Sequence, residues 1–369
     1  MSATHSLYLN DAARDWRTSR LDDVSAFHQS MPGYTPTRLV EVPELAAELG
    51  VAAVYVKEEA SRLGLPAFKI LGASYAISRA LSTRVGSASA LSLETLREAL
   101  IDQAPVTLIA ATDGNHGRAV AHTARLLGLS ARIFTPADIT DAAKRAIEAE
   151  GAERIELALP YDDIVLAAAA DASTAGDEAL LIQDTSWNGY EDIPQWIVDG
   201  YSTLVEEVDA QLLTLGVEAV DLVAVPVGVG SLAQAVVRHY RSGAGAAPRV
   251  LSVEPDAAPA ILASLHAGAA LTVPTGHTIM AGLNCGTPTD IGWETLCAGI
   301  DVAVSVADAS TAQAVRDLER LGIDSGPCGA STLAGVRALA DAGLLSSDAR
   351  VLLLSTESRT ANPLPEEFA

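Results

Sequence analysis

Residues 106–136 read VTLIAATDGNHGRAVAHTARLLGLSARIFTP, the segment that best indicates the fold class. An apolar run ends in a polar loop, an amphipathic helix pattern follows, and a second apolar run comes next. Two buried strands joined by a helix are typical of a parallel sheet covered by helices. The segment therefore predicts an α/β fold.

Further strand patterns recur through the rest of the chain. They lie at 154–159, 179–184, 221–227, 248–254, 301–306 and 349–355, with amphipathic helices between them. We expect two open, mainly parallel sheets flanked by helices. In such sheets ligands bind beyond the carboxyl ends of the strands, so the residues that follow each strand are the functional candidates.

The composition restricts the possible partners. The 369 residues include 24 Lys and Arg against 47 Asp and Glu, a net charge of −23, which disfavours nucleic acid and anionic membrane surfaces. Cys285, Cys297 and Cys328 lack the spacing of a metal site, so no metal is expected. The chain has no membrane-length apolar run and no signal-like start, so we expect a soluble cytoplasmic protein.

Primary amines are scarce. The chain has only three lysines, Lys57, Lys69 and Lys144, so a Schiff base must use one of them. Lys57 follows a strand pattern, and Lys144 lies in a charged helix pattern. Lys69 follows a Gly-Leu-Pro turn and opens an apolar helix pattern, where a lone lysine is more often a side chain that extends to water than a catalytic amine.

One glycine-rich turn supports two readings. Residues 221–254 run strand, Gly228-Val229-Gly230-Ser231, helix, strand and acid, the order of a dinucleotide site. Such a turn at a helix start holds any phosphate, however, and the nucleotide reading leaves Lys69 unexplained. A lysine, a phosphate turn and the hydroxyl pair Ser355 and Thr356 after the last strand fit pyridoxal phosphate (PLP) better.

Longer segments identify the chain as similar to a known family. AFKILGASYA (67–76), TDGNHGRAVA (112–121), QDTSWNGYEDIPQWIVDGYSTL (183–204) and TIMAGLNCGTPTDIGWETL (278–296) resemble the diaminopropionate ammonia-lyases. These are fold type II PLP enzymes, similar to the tryptophan synthase β subunit. The resemblance runs from about residue 34 to 357. It departs at Ser358, where the ending STEG of the family reads Ser-Thr-Glu-Ser.

The resemblance implies a reaction and a set of roles. The reaction is α,β-elimination of ammonia from D- or L-2,3-diaminopropionate, giving pyruvate and ammonia. Lys69 would carry the Schiff base and Asn115 would lie beside the cofactor ring. Asp113 would take the α-proton of the D-isomer, and Asp184 would serve the L-isomer or the leaving amine. The cofactor-binding residues are then Lys69, Asn115, Gly228, Val229, Gly230, Ser231, Ser355 and Thr356.

The resemblance also implies an organisation. We expect a large cofactor-binding domain of residues 1–70 and 191–369, a small domain of residues 71–190, an active site in the cleft between them, and a homodimer.

Several alternatives stay open at this stage. Asp113 could cap a helix, Asp184 could be a turn residue, and His116 is expected to be a packed loop histidine. Either Ser355 or Thr356 could bond the pyridine nitrogen. The substrate could be another β-substituted amino acid, such as serine, threonine or hydroxyaspartate, and a nucleotide-binding protein is the less favoured reading.

Overall fold

The computed structural model describes residues 7–22, 24–112, 114–137, 139–243 and 247–368. In these residues the strands are β1 (Leu7–Leu9), β2 (Leu39–Glu41), β3 (Ala53–Glu58), β4 (Thr107–Ala111), β5 (Ser130–Pro136), β6 (Glu153–Leu157), β7 (Ala179–Leu181), β8 (Leu222–Pro226), β9 (Arg249–Pro255), β10 (Val302–Val306) and β11 (Arg350–Ser355).

The helices of the described residues alternate with these strands over most of the chain. They are α1 (Ser25–Gln29), α2 (Pro43–Leu49), α3 (Lys69–Arg84), α4 (Leu93–Ala99), α5 (Asn115–Leu127), α6 (Asp141–Ala149), α7 (Tyr161–Ala175), α8 (Asp192–Thr214), α9 (Ser231–Arg241), α10 (Ala260–Ala267), α11 (Trp293–Gly299), α12 (Asp308–Arg320) and α13 (Pro327–Asp341).

The chain divides into two compact units. The first unit contains residues 7–22, 36–61 and 204–368, and the second contains residues 24–35 and 62–203. The small domain expected from the sequence, 71–190, lies wholly within the second unit. Helix α8 passes the boundary at 203/204.

The first unit is built on one large sheet. Its strand order is β1-β10-β9-β8-β11-β3-β2, with parallel pairing throughout the centre and antiparallel pairing of β1 and β2 at the two edges. The central strands are apolar on both faces, and every residue of β8 and β10 is buried. Helix α13, rich in Ala and Gly, lies within the same apolar core.

The second unit has a smaller sheet of order β6-β5-β4-β7, parallel at every pair. Close packing of α5 on this sheet requires a glycine. A Cβ on Gly117 would lie 2.2 Å from Cγ2 of Thr112 and 2.7 Å from Cγ2 of Ile133. The predicted α/β class with two open, mainly parallel sheets is confirmed.

One buried lysine differs from the simple expectation of a charged strand end. Lys57, near the end of β3, is fully buried, and its Nζ donates to Thr37 O at 2.9 Å, Glu207 Oε2 at 2.6 Å and Gln211 Oε1 at 2.9 Å. An ammonium with three acceptors is fully satisfied, so this lysine is structural.

Candidate active site

Lys69 is the first residue of α3, and its amine forms an ion pair. Nζ lies 2.7 Å from Oδ2 of Asp184, which is 115 residues away in the chain. The Lys69 side chain is 21% exposed and the Asp184 side chain 8% exposed. The pair is therefore largely withdrawn from water but accessible to a small molecule on the lysine side.

Asp184 follows β7 directly after Ile182 and Gln183, at the carboxyl end of the strand. Burial raises the pKa of Asp184, but the Lys69 ammonium, with contributions from His116 and a backbone hydrogen bond, brings it down to about 2. The neighbouring Gln183 is also fixed: its Oε1 accepts from the N–H of Ala111 at 3.0 Å. A carboxylate that stays ionised beside an amine can attract the ammonium groups of a substrate.

His116 lies in the first turn of α5 and is buried. Its Nε2 bonds the carbonyl of Ile182 at 2.8 Å, and its Nδ1 has no hydrogen-bond partner in the described part of the chain. Burial lowers the pKa of His116, while Asp184 acts in the opposite direction. The ring is neutral at physiological pH, and its Nε2–H donates to the Ile182 carbonyl oxygen. The side chain is packed, as expected from the sequence, but it lies on the first turn of α5 and not in a loop.

The segment that leads into α5 contains two other residues predicted from the sequence, Asp113 and Asn115. Thr112 Oγ1 accepts from the N–H groups of Gly114 at 2.9 Å and Gly117 at 3.0 Å, which shapes the turn into the helix. Asn115 is the first residue of α5 and is half-buried. Asp113 lies outside the described residues, so its proposed role stays a prediction.

The glycine-rich turn connects β8 to α9 in the first unit. Gly230 has φ +108°, a left-handed conformation, and a Cβ there would lie 2.6 Å from Cδ1 of Leu296. Among the described residues, no backbone hydrogen bond of the turns, loops and helix caps has the N–H of Gly228, Val229 or Gly230 as its donor. Open N–H groups before a helix of 11 residues that begins at Ser231 are suited to a phosphate group.

The two hydroxyl residues lie at the same edge of the same sheet. Ser355 ends β11, which pairs in parallel with β8, so Ser355 and Thr356 leave the sheet on the side where the glycine-rich turn begins. Both residues are buried, and Ser355 Oγ lacks a hydrogen-bond partner among the described residues. Gly329 of α13 allows this arrangement, because a Cβ there would lie 2.7 Å from Thr356 N.

The residues of each unit fit a phosphate-bearing pyridine cofactor. An open glycine turn at a helix start matches a phosphate, and an unpaired buried hydroxyl matches a ring nitrogen that accepts a hydrogen bond. An accessible lysine amine matches the aldehyde. No group of three metal-ligating side chains occurs in the described ranges, and no helix there is long and apolar enough to cross a membrane.

The structure does not support a dinucleotide site in residues 221–254, because Glu254, the acid that would bind the ribose, is not available. Glu254 is fully buried and accepts from the N–H groups of Ile261 and Leu262, both at 2.7 Å. Its carboxyl group caps the start of α10 and is not exposed to a ribose.

Comparison with known proteins places the chain in a class. Residues 31–357 match the family model described as pyridoxal-phosphate dependent enzyme, so the chain belongs to that class, whose cofactor is PLP. The sequence is 37% identical to the diaminopropionate ammonia-lyase of Escherichia coli K12 over 353 residues, covering 90% of this chain and 87% of that one. Within the class, the chain belongs to the diaminopropionate ammonia-lyase family.

Solved structures of the Escherichia coli enzyme agree with this assignment. The selenomethionine holo form has a TM-score of 0.87 at 34% identity and covers 98% of this chain and 95% of that chain. A complex of that enzyme with an aminoacrylate-PLP azomethine reaction intermediate has a TM-score of 0.85 at 34% identity, covering 97% and 95%. The resemblance inferred from the sequence is confirmed.

Tyr201 is a residue that the sequence analysis missed. Its phenol is fully buried on α8, and burial raises its pKa to about 12, although Lys69 acts to lower it. The Gly200-Tyr201 pair was the available signal, because a glycine inside a long helix commonly marks a close approach of another chain segment.

Proposed function

We propose that this protein catalyses the α,β-elimination of ammonia from 2,3-diaminopropionate, giving pyruvate and two molecules of ammonia after hydrolysis. The proposal is supported by the family membership above and by one observation within the second unit. A lysine amine and an ionised carboxylate, Lys69 and Asp184, stand 2.7 Å apart. A diamine substrate brings two ammonium groups, and a persistent carboxylate is the group that recognises them.

The cofactor, when bound, supplies an electron sink for the charge that develops at the substrate α-carbon. We propose that Lys69 holds PLP covalently, that Gly228–Ser231 hold the phosphate, and that Asn115 lies beside the ring. Ser355 is our choice for the pyridine nitrogen, because its buried hydroxyl lacks a partner in the described residues. A neutral hydroxyl donates a hydrogen bond there without giving up its proton.

The substrate-handling steps are assigned to three side chains. Lys69, once released, takes the α-proton of one isomer at its Nζ. Asp113 takes the α-proton of the D-isomer by family resemblance. Asp184 orients the substrate amines and assists the departing β-amine. Its pKa of about 2 suits a carboxylate that holds cations, and proton delivery to the leaving group then falls to the Lys69 ammonium.

The test combines colour and turnover. Purified protein is expected to be yellow and to release pyruvate from D- and L-diaminopropionate, with serine and threonine as control substrates. Lys69→Ala should be colourless and inactive. Lys144→Ala, the matched lysine control, should keep both properties, since Lys144 bonds Ala137 O and Glu156. Turnover of serine or threonine instead would indicate another β-substituted substrate and contradict the proposed function.

Asp113 and Asp184 can be separated by stereochemistry. Asp113→Ala should abolish turnover of D-diaminopropionate while the cofactor stays bound. Asp184→Asn should reduce turnover of L-diaminopropionate at least as strongly as turnover of D-diaminopropionate. Full activity of Asp113→Ala on the D-isomer would show that the base was assigned wrongly.

We also propose that the protein acts as a cytoplasmic homodimer. Support comes from the family resemblance and from the three cysteines, none of which is in a disulfide in the described part of the chain. Light scattering of the purified protein and fractionation of cells test the two statements. A monomer, or recovery from a secreted fraction, would contradict them.

A further inference from the structure

The hydroxyl of Tyr201 needs an explanation. The side chain is fully buried in α8, and its oxygen makes no hydrogen bond of ordinary length to the described residues. Proteins rarely bury a hydroxyl without a partner, because the group gives up its hydrogen bonds to water. A buried hydroxyl of this kind is explained when its partner reaches it in another state of the protein.

Two glycines leave the space that the Tyr201 ring occupies between α3 and α8. A Cβ on Gly72 would lie 2.6 Å from Cε1 of Tyr201, and a Cβ on Gly200 would lie 2.6 Å from the carbonyl oxygen of Leu71. Helices α3 and α8 can therefore approach closely only because both positions lack a side chain. The ring also packs on Phe68, with centroids 4.7 Å apart.

This packing puts the Tyr201 ring and the Lys69 amine against the same Phe68 side chain. Phe68 immediately precedes Lys69, and Lys69 Nζ lies 5.4 Å from the Phe68 ring centroid. Burial raises the pKa of Tyr201 to about 12, while the nearby Lys69 ammonium acts to lower it and Asp184 acts to raise it. The phenol therefore keeps its proton at physiological pH next to the Lys69–Asp184 pair.

A phenol and a carboxylate differ in what they can offer an amine. The ionised Asp184 only accepts hydrogen bonds, so it holds an ammonium but gives nothing to the lone pair of a neutral amine. A phenol accepts through its oxygen and donates through its O–H. Tyr201 can therefore bond the Lys69 nitrogen in both protonation states.

We propose that Tyr201 is a positioning residue for Lys69, holding the Lys69 nitrogen as an ammonium and as a neutral amine. The catalytic meaning of this inference rests on the proposed function, in which Lys69 alternates between the two forms. The inferred hydrogen bond involves only residues of this chain, so it can be tested without turnover.

The test compares Tyr201→Phe with Tyr240→Phe. Tyr240, on α9 in the first unit, also has a buried hydroxyl and serves as the matched control. The full-length chain is freed of cofactor, folding is checked by circular dichroism, and the lysines are trace-acetylated with acetic anhydride across a pH series. Mass spectrometry gives the acetylation rate of Lys69 relative to Lys144, the internal reference.

Tyr201→Phe should lower the midpoint pH of Lys69 acetylation by about one unit, because a hydrogen bond to an ammonium is lost. Tyr240→Phe should leave the midpoint unchanged. An unchanged or raised midpoint in Tyr201→Phe, or equal shifts in both variants, would overturn the proposal, since the ring packing survives in phenylalanine. If Tyr201→Phe does not fold, Tyr201→Met carries the same expectation.

A second readout separates this inference from the proposed function. In the holoenzyme, kcat of Tyr201→Phe should fall about tenfold with KM unchanged, as expected for loss of one hydrogen bond in the reacting state. A colourless, inactive wild type would overturn the proposed function but leave the acetylation result valid. A normal yellow enzyme whose Lys69 midpoint ignores Tyr201→Phe would overturn only the role of Tyr201.

Discussion

Replacing Asp184 by Asn tests the central ion pair directly. The substitution keeps the size of the side chain and removes its charge, so the Lys69 ammonium loses the ionised partner that lies 2.7 Å away. Both side chains are well withdrawn from water, at 21% and 8% exposure, so solvent screens their interaction only weakly. The variant should therefore lose stability in the cofactor-free protein.

The size of the loss follows from the pKa of Asp184. The folded protein lowers it from 3.8 to about 2. A change of one in pKa corresponds to about 1.4 kcal/mol, so the ionised carboxylate contributes about 2 kcal/mol to the free energy of unfolding. Because the folded pKa is the lower one, this contribution is present above about pH 4 and is lost as the pH falls through 2.

Urea unfolding of the cofactor-free protein, followed by tryptophan fluorescence, measures this difference. Asp184→Asn should be about 2 kcal/mol less stable than wild type at pH 7 and pH 5, with a smaller gap near pH 3. Asp177→Asn, an exposed aspartate in the same unit, is the control and should match wild type. A loss below about 0.5 kcal/mol at pH 7, or a gap that does not shrink in acid, would refute the reasoning.

Four further substitutions have definite expectations. Ser355→Ala should weaken PLP binding about tenfold in equilibrium dialysis while the cofactor-free protein keeps its stability, and Thr356→Val should bind PLP normally. Gly72→Ala should cost about 1–2 kcal/mol in urea unfolding, because its methyl group would meet the Tyr201 ring. Burial raises the pKa of Glu254 to about 8, so the stability from its protonated form is full below about pH 4.5 and lost as the pH rises through 8. The melting temperature of Glu254→Gln should therefore rise relative to that of wild type as the pH increases from 5 to 8.

Each of these expectations has an opposite result. Stronger loss of PLP affinity in Thr356→Val than in Ser355→Ala would assign the pyridine nitrogen to Thr356. A Gly72→Ala protein as stable as wild type would show that α3 and α8 can separate without cost. A melting difference for Glu254→Gln that is constant with pH would mean that the two N–H groups on Glu254 keep it ionised throughout.

The sheets were predictable because their information is local. Continuous apolar runs such as those of β8 and β10 are buried on both faces, and only strands of a covered parallel sheet require that pattern. The short edge strands β1 and β2 were not predicted, because neither lies in an apolar run as long as the ALLI at 179–182 that indicated the equally short β7.

Lys69 could be selected from the sequence because lysine is rare in this chain and its setting is unusual. The residues that surround the Lys69 amine could not be predicted from the sequence in the same way. The Asp184 carboxylate was a candidate, but its pairing with Lys69 joins residues 115 positions apart. Tyr201 gave no sign of its position beside them apart from a neighbouring glycine.

One acidic residue, Glu254, and one basic residue, Lys57, show why a motif alone can mislead. Glu254 stands where a ribose-binding acid would stand, yet it caps α10. Lys57 has the same functional group as Lys69, yet it is enclosed by Thr37, Glu207 and Gln211. In both cases the sequence shows the side chain but not its partners.

The sequence by itself determined the α/β class and the family and selected Lys69 as the candidate amine, because strand period, turn chemistry and residue scarcity act over a few neighbouring positions. The tertiary structure decided which polar groups are ionised, paired or left open. Those properties depend on burial and on partners brought together by packing, as glycines 72 and 200 do for Tyr201. The physical reason is that desolvation and hydrogen bonding act through space, over distances that the chain order does not encode.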